Sequence, residues 1–201
     1  MKQYDRAYFD RWYRAKGRVV RPEVVRRKVR LAQGAAEYML GREIRSVLDI
    51  GCGEAPWRAE LRRSRPEIHY LGTDTSDYVV ERFGKTRNIR LAGMGELDGL
   101  KLRKSYDLIV CADMLEYIPR AEMARGLATI ARVLGGVAYL EAFTTADELV
   151  GDREGWHHRT PAMYRRAFKE AGLITCGLNC YITEAGLAKM NALEIAEPLL
   201  G

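Results

Sequence analysis

Apolar residues come in short runs along this chain, and the runs alternate with segments of helical spacing. Val47-Leu48-Asp49-Ile50 is apolar but for one acid, and Ile68–Thr73, Asn88–Ala92, Tyr106–Cys111 and Gly136–Ala142 repeat the type. Runs of this length, without polar alternation, read as strands buried on both faces. Between them, residues 57–64, 77–83 and 119–134 read as helices. In the longest, Met123, Leu127, Ile130 and Leu134 form one stripe, and Gly135-Gly136 is expected to stop it. Thr160-Pro161 starts a further helix with Tyr164, Phe168 and Ala171 on one face and Gly172 at its end. Alternating strands and helices predict a mostly parallel sheet covered on both faces, a Rossmann-like, doubly wound α/β/α arrangement in three layers.

The flanks differ in pattern. Residues 5–14 read as a short helix bearing Tyr8, Phe9, Trp12 and Tyr13. Pro22 opens a longer helix in which Val25, Val29, Ala32, Ala36 and Met39 recur at helical spacing before Gly41. After the last core helix, Leu173–Thr183 reads as strand broken at Gly177, and Glu184–Glu197 as helix. The expected organisation is a single domain, with an N-terminal helical cap over 1–45, a core over 46–183 and a C-terminal helix or tail over 184–201. Only one strand is convincing at the end of the sheet.

Composition narrows the class. A chain of 201 residues suits one sizeable core. No apolar run reaches the ~18 residues of a membrane span, and Met1–Tyr13 lacks the apolar segment of a signal peptide, so the expectation is cytoplasmic. The four cysteines, at 52, 111, 176 and 180, are spaced neither as a disulfide framework nor as a zinc site, and reduced thiols fit a cytosolic protein. The net charge of +6 is uneven, since residues 1–45 carry 13 Lys or Arg against 5 Asp or Glu. A basic segment attracts nucleic acid or acidic ligands, but arginines of this kind more often form the solvated face of a helix.

Chemistry concentrates where the first strand ends. In Asp49-Ile50-Gly51-Cys52-Gly53, the glycines permit positive φ and close approach of a ligand to the backbone, and the following helix offers its N-terminus. A dinucleotide fingerprint asks for a third glycine, and Pro56 stands there instead. The Asp-x-Gly-x-Gly of Asp49, Gly51 and Gly53 resembles the first motif of class I S-adenosylmethionine-dependent methyltransferases. Three further segments follow in that family's order. Asp74, 25 positions after Asp49, ends the second strand, where an acid can accept hydrogen bonds from both ribose hydroxyls. Gly95-Glu96-Leu97 resembles the loop that meets the adenine, with Glu96 in place of an aspartate. Tyr106–Cys111 followed by Ala112-Asp113-Met114-Leu115-Glu116-Tyr117 resembles the fourth strand and its Leu-Glu-His loop, with Tyr117 in the histidine position. The resemblance covers about 46–172.

It implies S-adenosylmethionine as cofactor and S-adenosylhomocysteine as product. The residues implied at the cofactor are Asp49, Gly51, Cys52, Gly53, Asp74, Thr75, Gly95, Glu96, Leu97 and Ala112; Tyr8 and Trp12 of the N-terminal helix either close over it or form the buried stripe of a helix docked on the sheet. Tyr4 belongs to the same aromatic stripe. Such an enzyme chiefly holds two molecules in register, and needs a base only where the nucleophile arrives protonated. Beyond strands four and five lie Asp113, Glu116, Tyr117, Glu141, Thr144, Thr145 and Trp156-His157-His158-Arg159. His157, His158 and Glu116 are the expected catalytic groups. Asp113, Glu116 and one of these histidines also form a conceivable metal set, but Tyr117 replaces the histidine of metal-dependent relatives, so no metal is expected.

The resulting expectation is methyl transfer to an O, N or other nucleophile of a small-molecule acceptor, with no membrane partner. Two alternatives stand beside it. One is an RNA methyltransferase using the basic N-terminus, disfavoured because Ala112-Asp113-Met114-Leu115 replaces the Asn/Asp-Pro-Pro-aromatic loop of nucleobase amino-methylating enzymes. No Pro-Cys nucleophile follows the fourth strand either. The other is a non-catalytic cofactor-binding partner protein. The acceptor's identity and the oligomeric state are not legible.

Overall fold

The computed structural model describes residues 4–15, 21–148, 152–191 and 194. Its sheet has seven strands: β1 (Ser46–Ile50), β2 (His69–Asp74), β3 (Ile89–Leu91), β4 (Tyr106–Ala112), β5 (Leu134–Glu141), β6 (Ile174–Gly177) and β7 (Cys180–Ile182). They lie in the order β3-β2-β1-β4-β5-β7-β6. The first five are parallel, and β7 runs antiparallel to both of its neighbours. The chain winds outward from β1 to β3, then returns to β4 on the other side of β1. The connections leaving β1 and β4 therefore part at the C-terminal ends of the strands, where open α/β sheets bind ligands.

Both faces of the sheet are covered, which is why its central strands are apolar throughout. One layer holds α1 (Arg6–Phe9), α2 (Pro22–Leu40), α3 (Pro56–Ser64) and α4 (Asp77–Arg87). Val25, Val29 and Ala36 of α2 pack there with Trp57, Leu61 and Val79 onto Val47 and Val110 of the sheet. The other layer holds α5 (Arg120–Val133) and α6 (Pro161–Glu170), whose Leu127, Ile130 and Phe168 meet Leu48, Ile50 and Ile109. A short helix, α7 (Glu184–Leu187), follows β7. All four cysteines are free. Among the described residues no helix is long and apolar enough to cross a membrane.

The predicted elements recur with three local differences. Gly135 and Gly136 do not separate helix from strand, because α5 passes straight into β5 and both glycines belong to β5. At Gly136 a side chain would fall on the carbonyl of Asp107, so the glycine lets β5 start hard against β4 beside the register shift at Tyr106/Leu108. The segment after β3, too short and glycine-rich for a long helix, forms two tight helical turns at Met94–Gly99. Finally, Leu173–Thr183 is a hairpin rather than one broken strand. Leu178 and Asn179 take φ of 52° and 63°, the backbone a two-residue hairpin turn demands, and β7 folds back between β5 and β6. Of the helix expected over Glu184–Glu197, only Glu184–Leu187 is helical as far as residue 191, and the part beyond lies almost wholly outside the described residues.

Candidate active site

The turn after β1 is built from residues that reverse the chain in little space. Gly51, Gly53 and Ala55 have φ of 67°, 52° and 57°, and Ala55 then caps α3. The Cys52 N–H donates to the Thr73 carbonyl at 2.9 Å, which ties the turn to β2. Asp74, at the end of β2, accepts the Gly53 N–H at 2.7 Å on one carboxylate oxygen and the Ser76 N–H at 2.9 Å on the other. Burial raises its pKa above the ordinary value, opposed by those N–H donors. Beneath the turn, Asp49 accepts a 2.6 Å hydrogen bond from Tyr70, and burial pushes its carboxyl up to about 7.

Above the turn lies a cleft of about 130 Å³. Gly51, Gly53, Asp74 and Thr75 form its floor, Ala92, Gly93 and Met94 one end, and Asp113, Met114, Tyr117, Ile118 and Glu122 the opposite wall. Tyr4, Tyr8, Phe9 and Tyr13 of the N-terminal segment close it. A Cβ on Gly51 would lie 2.6 Å from the Met114 sulfur, and one on Gly53 the same distance from the Tyr13 hydroxyl. The segment is anchored at both ends: Arg14 pairs with Glu54 at 2.5 Å, and the Tyr4 carbonyl accepts from Ser76 Oγ.

This geometry brings Gly51, Gly53, Asp74, Thr75 and Tyr8 together around the cleft, with Asp49 and Cys52 buried below it and Ala112 next to Asp113. It leaves others away from the lining. Glu96 turns back to accept the Gly93 N–H at 2.7 Å, Leu97 is buried in the core, and Gly95 packs against Glu122 and Arg125. The lining at this end therefore comes from Ala92–Met94, just ahead of the predicted triplet. Trp12 packs by Tyr8 and Arg11 instead of facing the cleft. The reason is the wide helical turn at Asp10–Arg14, closed by a bond from the Ala15 N–H to the Asp10 carbonyl. One extra residue in that turn advances the stripe from Tyr4 and Tyr8 to Tyr13.

The loop after β5 behaves differently from its histidines. His157 and His158 are exposed, the first donating its backbone N–H to the Glu116 carbonyl at 2.7 Å and the second stacking on Trp156 at 4.3 Å between centroids. The inward residue is Arg159, 5 % exposed, which donates to the carbonyls of Leu115 at 3.1 Å and Ile118 at 2.5 Å. A buried guanidinium thus pins the turn that carries Glu116 and Tyr117. In the sequence Arg159 stands only as part of a polar loop, since no local pattern reveals which member of Trp-His-His-Arg points in.

Carboxylates gather at the ends of β4 and β5. Asp113 holds φ of 57° and bonds Lys28 of α2 at 3.1 Å, and Lys28 also bonds Glu141. Glu116 is buried below them. Burial, then the charges of Asp113 and Glu141, lift its carboxyl to about 8, and burial with Asp113 lifts Glu141 to about 7 against the pull of Lys28. Among the described residues no group of three His, Cys, Asp or Glu is arranged to hold a metal ion. Lys28, Tyr13 and Met114 are functional candidates the sequence did not single out.

A family model described as a methyltransferase domain matches residues 20–192. Among solved structures, a SAM-dependent methyltransferase from Archaeoglobus fulgidus superposes with a TM-score of 0.62 at 16% identity, over 83% of this chain and 73% of that one. DesVI of Streptomyces venezuelae gives 0.60 at 15% identity, over 81% and 91%. The plantazolicin methyltransferase BamL, solved with a triazolic desmethylPZN analog and SAH, gives 0.60 at 15%, over 75% and 65%. No curated protein sequence matches significantly. At such identities the structural likeness is one of fold. The family match spans most of the chain, and the chain belongs to the methyltransferase-domain family.

Proposed function

We propose that the chain transfers a methyl group from S-adenosylmethionine to a small-molecule acceptor, with the cofactor held along the cleft. The observation that carries this reading is the joining of the Gly51–Gly53 turn to Asp74 under an aromatic cover. The space a side chain would take on either glycine is held by the Met114 and Tyr13 side chains, which would swing aside for a ligand lying against this backbone. Asp74 spends one lone pair of each oxygen on Gly53 and Ser76, and so retains acceptor capacity for ribose hydroxyls. Gly51 and Gly53 would border the amino-acid end, Asp74 and Thr75 the ribose, and Ala92–Met94 the adenine. Tyr8 and Tyr13 would shield the reacting centre from water, their π faces suiting a sulfonium.

The cofactor supplies an activated methyl group; the protein's part is alignment and, for a protonated nucleophile, a base. The ends of β4 and β5 are the direction from which an acceptor would approach, past Asp113, Met114 and Tyr117. The test pairs calorimetry with transfer. S-adenosylhomocysteine should bind the wild type with one-to-one stoichiometry. Labelled methyl from S-adenosylmethionine should then appear in small-molecule fractions and not in RNA. Absence of S-adenosylhomocysteine binding would sink the cofactor assignment, and label confined to RNA would sink the acceptor class.

A further inference from the structure

The proposed seating of the cofactor leaves one of its hydrogen-bond donors unmatched. Its N–H and O–H groups are the ammonium, the ribose hydroxyls and the 6-amino group of adenine. The ammonium would lie with the Gly51–Gly53 turn and the ribose with Asp74. The end proposed for adenine, Ala92–Met94, offers backbone and apolar side chains. Glu96, the acid expected there from the sequence, turns back to the Gly93 N–H at 2.7 Å and does not line the cleft.

An acid from another element reaches this end. Glu122 stands in the first turn of α5 and lines the cleft. Four residues further on, on the same face of the helix, Gly126 meets Met94 so closely that a Cβ there would collide with it. That contact seats α5 on the turn at Met94–Gly99. A Cβ on Gly95 would lie 2.9 Å from the Glu122 Cγ and 3.0 Å from its Cβ, so the bare backbone of Gly95 is what admits the Glu122 side chain. The carboxylates lining the cleft are Asp74, Asp113 and Glu122. Asp74 is bonded to Gly53 and Ser76, and Asp113 to Lys28. Glu122 has no hydrogen-bond or ion-pair partner among the described residues. A half-buried carboxylate in this position gains from a donor, and its hydrogen bond to an amino group is charge-assisted.

We infer, resting on the function proposed above, that Glu122 is the residue that selects the purine, its carboxylate accepting a hydrogen bond from the 6-amino group of adenine. A 6-oxo purine turns an acceptor oxygen to the same place. Two acceptors then face each other unpaired, and a site built to receive an N–H rejects the analogue that lacks it. An acid in the first turn of a helix also favours the helix itself. That structural role is blind to the base, which is what separates the two in an experiment.

The experiment is calorimetry on the full-length protein with S-adenosylhomocysteine and S-inosylhomocysteine, which carry an amino and an oxo group at purine position 6. The wild type should bind the amino compound at least about tenfold more tightly. Glu122→Gln presents an amide that donates as well as accepts, so the two affinities should come within about threefold of each other. Glu122→Ala should weaken the amino compound alone, and it decides if Glu122→Gln fails to fold. Glu96→Gln should keep the wild-type preference. A wild type without the preference, Glu122 variants that retain it or weaken both compounds alike, or its loss in Glu96→Gln would overturn the inference and leave the cofactor reading standing. Failure of S-adenosylhomocysteine to bind the wild type would remove both.

Discussion

Replacing Asp74 separates two jobs that the structure gives to one carboxylate. Its oxygens cap the Gly53 and Ser76 N–H groups, at 2.7 and 2.9 Å, and face the cleft where ribose hydroxyls are expected. Asp74→Ala strands both backbone donors. An unsatisfied buried donor costs about 1–3 kcal/mol, and water can reach part of this site, so the loss of stability should be about 2–4 kcal/mol. Loss of the ligand contact should weaken S-adenosylhomocysteine by a further ~1.5–3 kcal/mol, roughly 10- to 150-fold in affinity. Asp74→Asn keeps one acceptor oxygen but turns an amide donor towards another donor. It should cost less stability than alanine yet nearly as much affinity. Urea unfolding gives the first quantity and calorimetry, well below the unfolding midpoint, the second. A folded Asp74→Asn protein with wild-type affinity would refute the ribose assignment, and unchanged stability in Asp74→Ala would refute the capping role.

Four further outcomes are expected. Arg159→Met should destabilise the protein by about 2–4 kcal/mol in urea, because two buried carbonyls lose a charged donor, with Arg159→Lys in between; a loss under ~1 kcal/mol would show the turn holds without it. The carboxyls of Glu116 and Asp49, raised to about 8 and about 7, hold protons in the folded state that the unfolded chain has released, so their contribution to stability is full below about pH 4 and declines as pH rises through those values. Glu116→Gln should therefore flatten the fall in stability between pH 5.5 and 8, by up to ~1.4 kcal/mol per pH unit, and an unaltered slope in urea titrations would contradict the shift. Gly51→Val should abolish S-adenosylhomocysteine binding with helix content intact by circular dichroism, since the Met114 side chain can swing away but a β-branched residue resists a φ of 67°. Tyr13→Ala should speed cofactor association several-fold in stopped-flow fluorescence, because a cleft of about 130 Å³ is below the ~300 Å³ at which ligand pockets begin and the aromatic cover must yield; an unchanged rate would mean entry by another route.

How far the fold was legible follows from where each constraint lies along the chain. The strands β1, β2 and β4 announce themselves because both their faces are buried, which forces a continuous apolar run. The final hairpin is hidden because its turn uses Leu178 and Asn179, and a leucine at φ 52° is held there by the sheet rather than by its own preference. Gly135-Gly136 misleads for the complementary reason. Adjacent glycines usually end helices, but here the missing side chains serve the close approach of β5 to β4, a contact between distant residues.

The same distinction divides the site. The half proposed for the cofactor is legible since its demands are local: glycines at positive φ directly after a strand, and an acid at the end of the next. Even there, the wide turn at Asp10–Arg14 exchanges Trp12 for Tyr13, a one-residue shift that regular helical spacing cannot reveal. The half proposed for the acceptor is assembled across the chain. Lys28 reaches Glu141 over 113 positions and Asp113 over 85, and Arg159 reaches Leu115 over 44. No spacing rule links such residues, so the burial of Glu116, whose Oε2 has no hydrogen-bond partner among the described residues, becomes visible only when the elements around it are in place. A methyl donor is common to many reactions, and local motifs suffice to hold it. Selection among acceptors falls to groups brought together by tertiary structure, and the set that Lys28 and Arg159 organise at the ends of β4 and β5 is this chain's own.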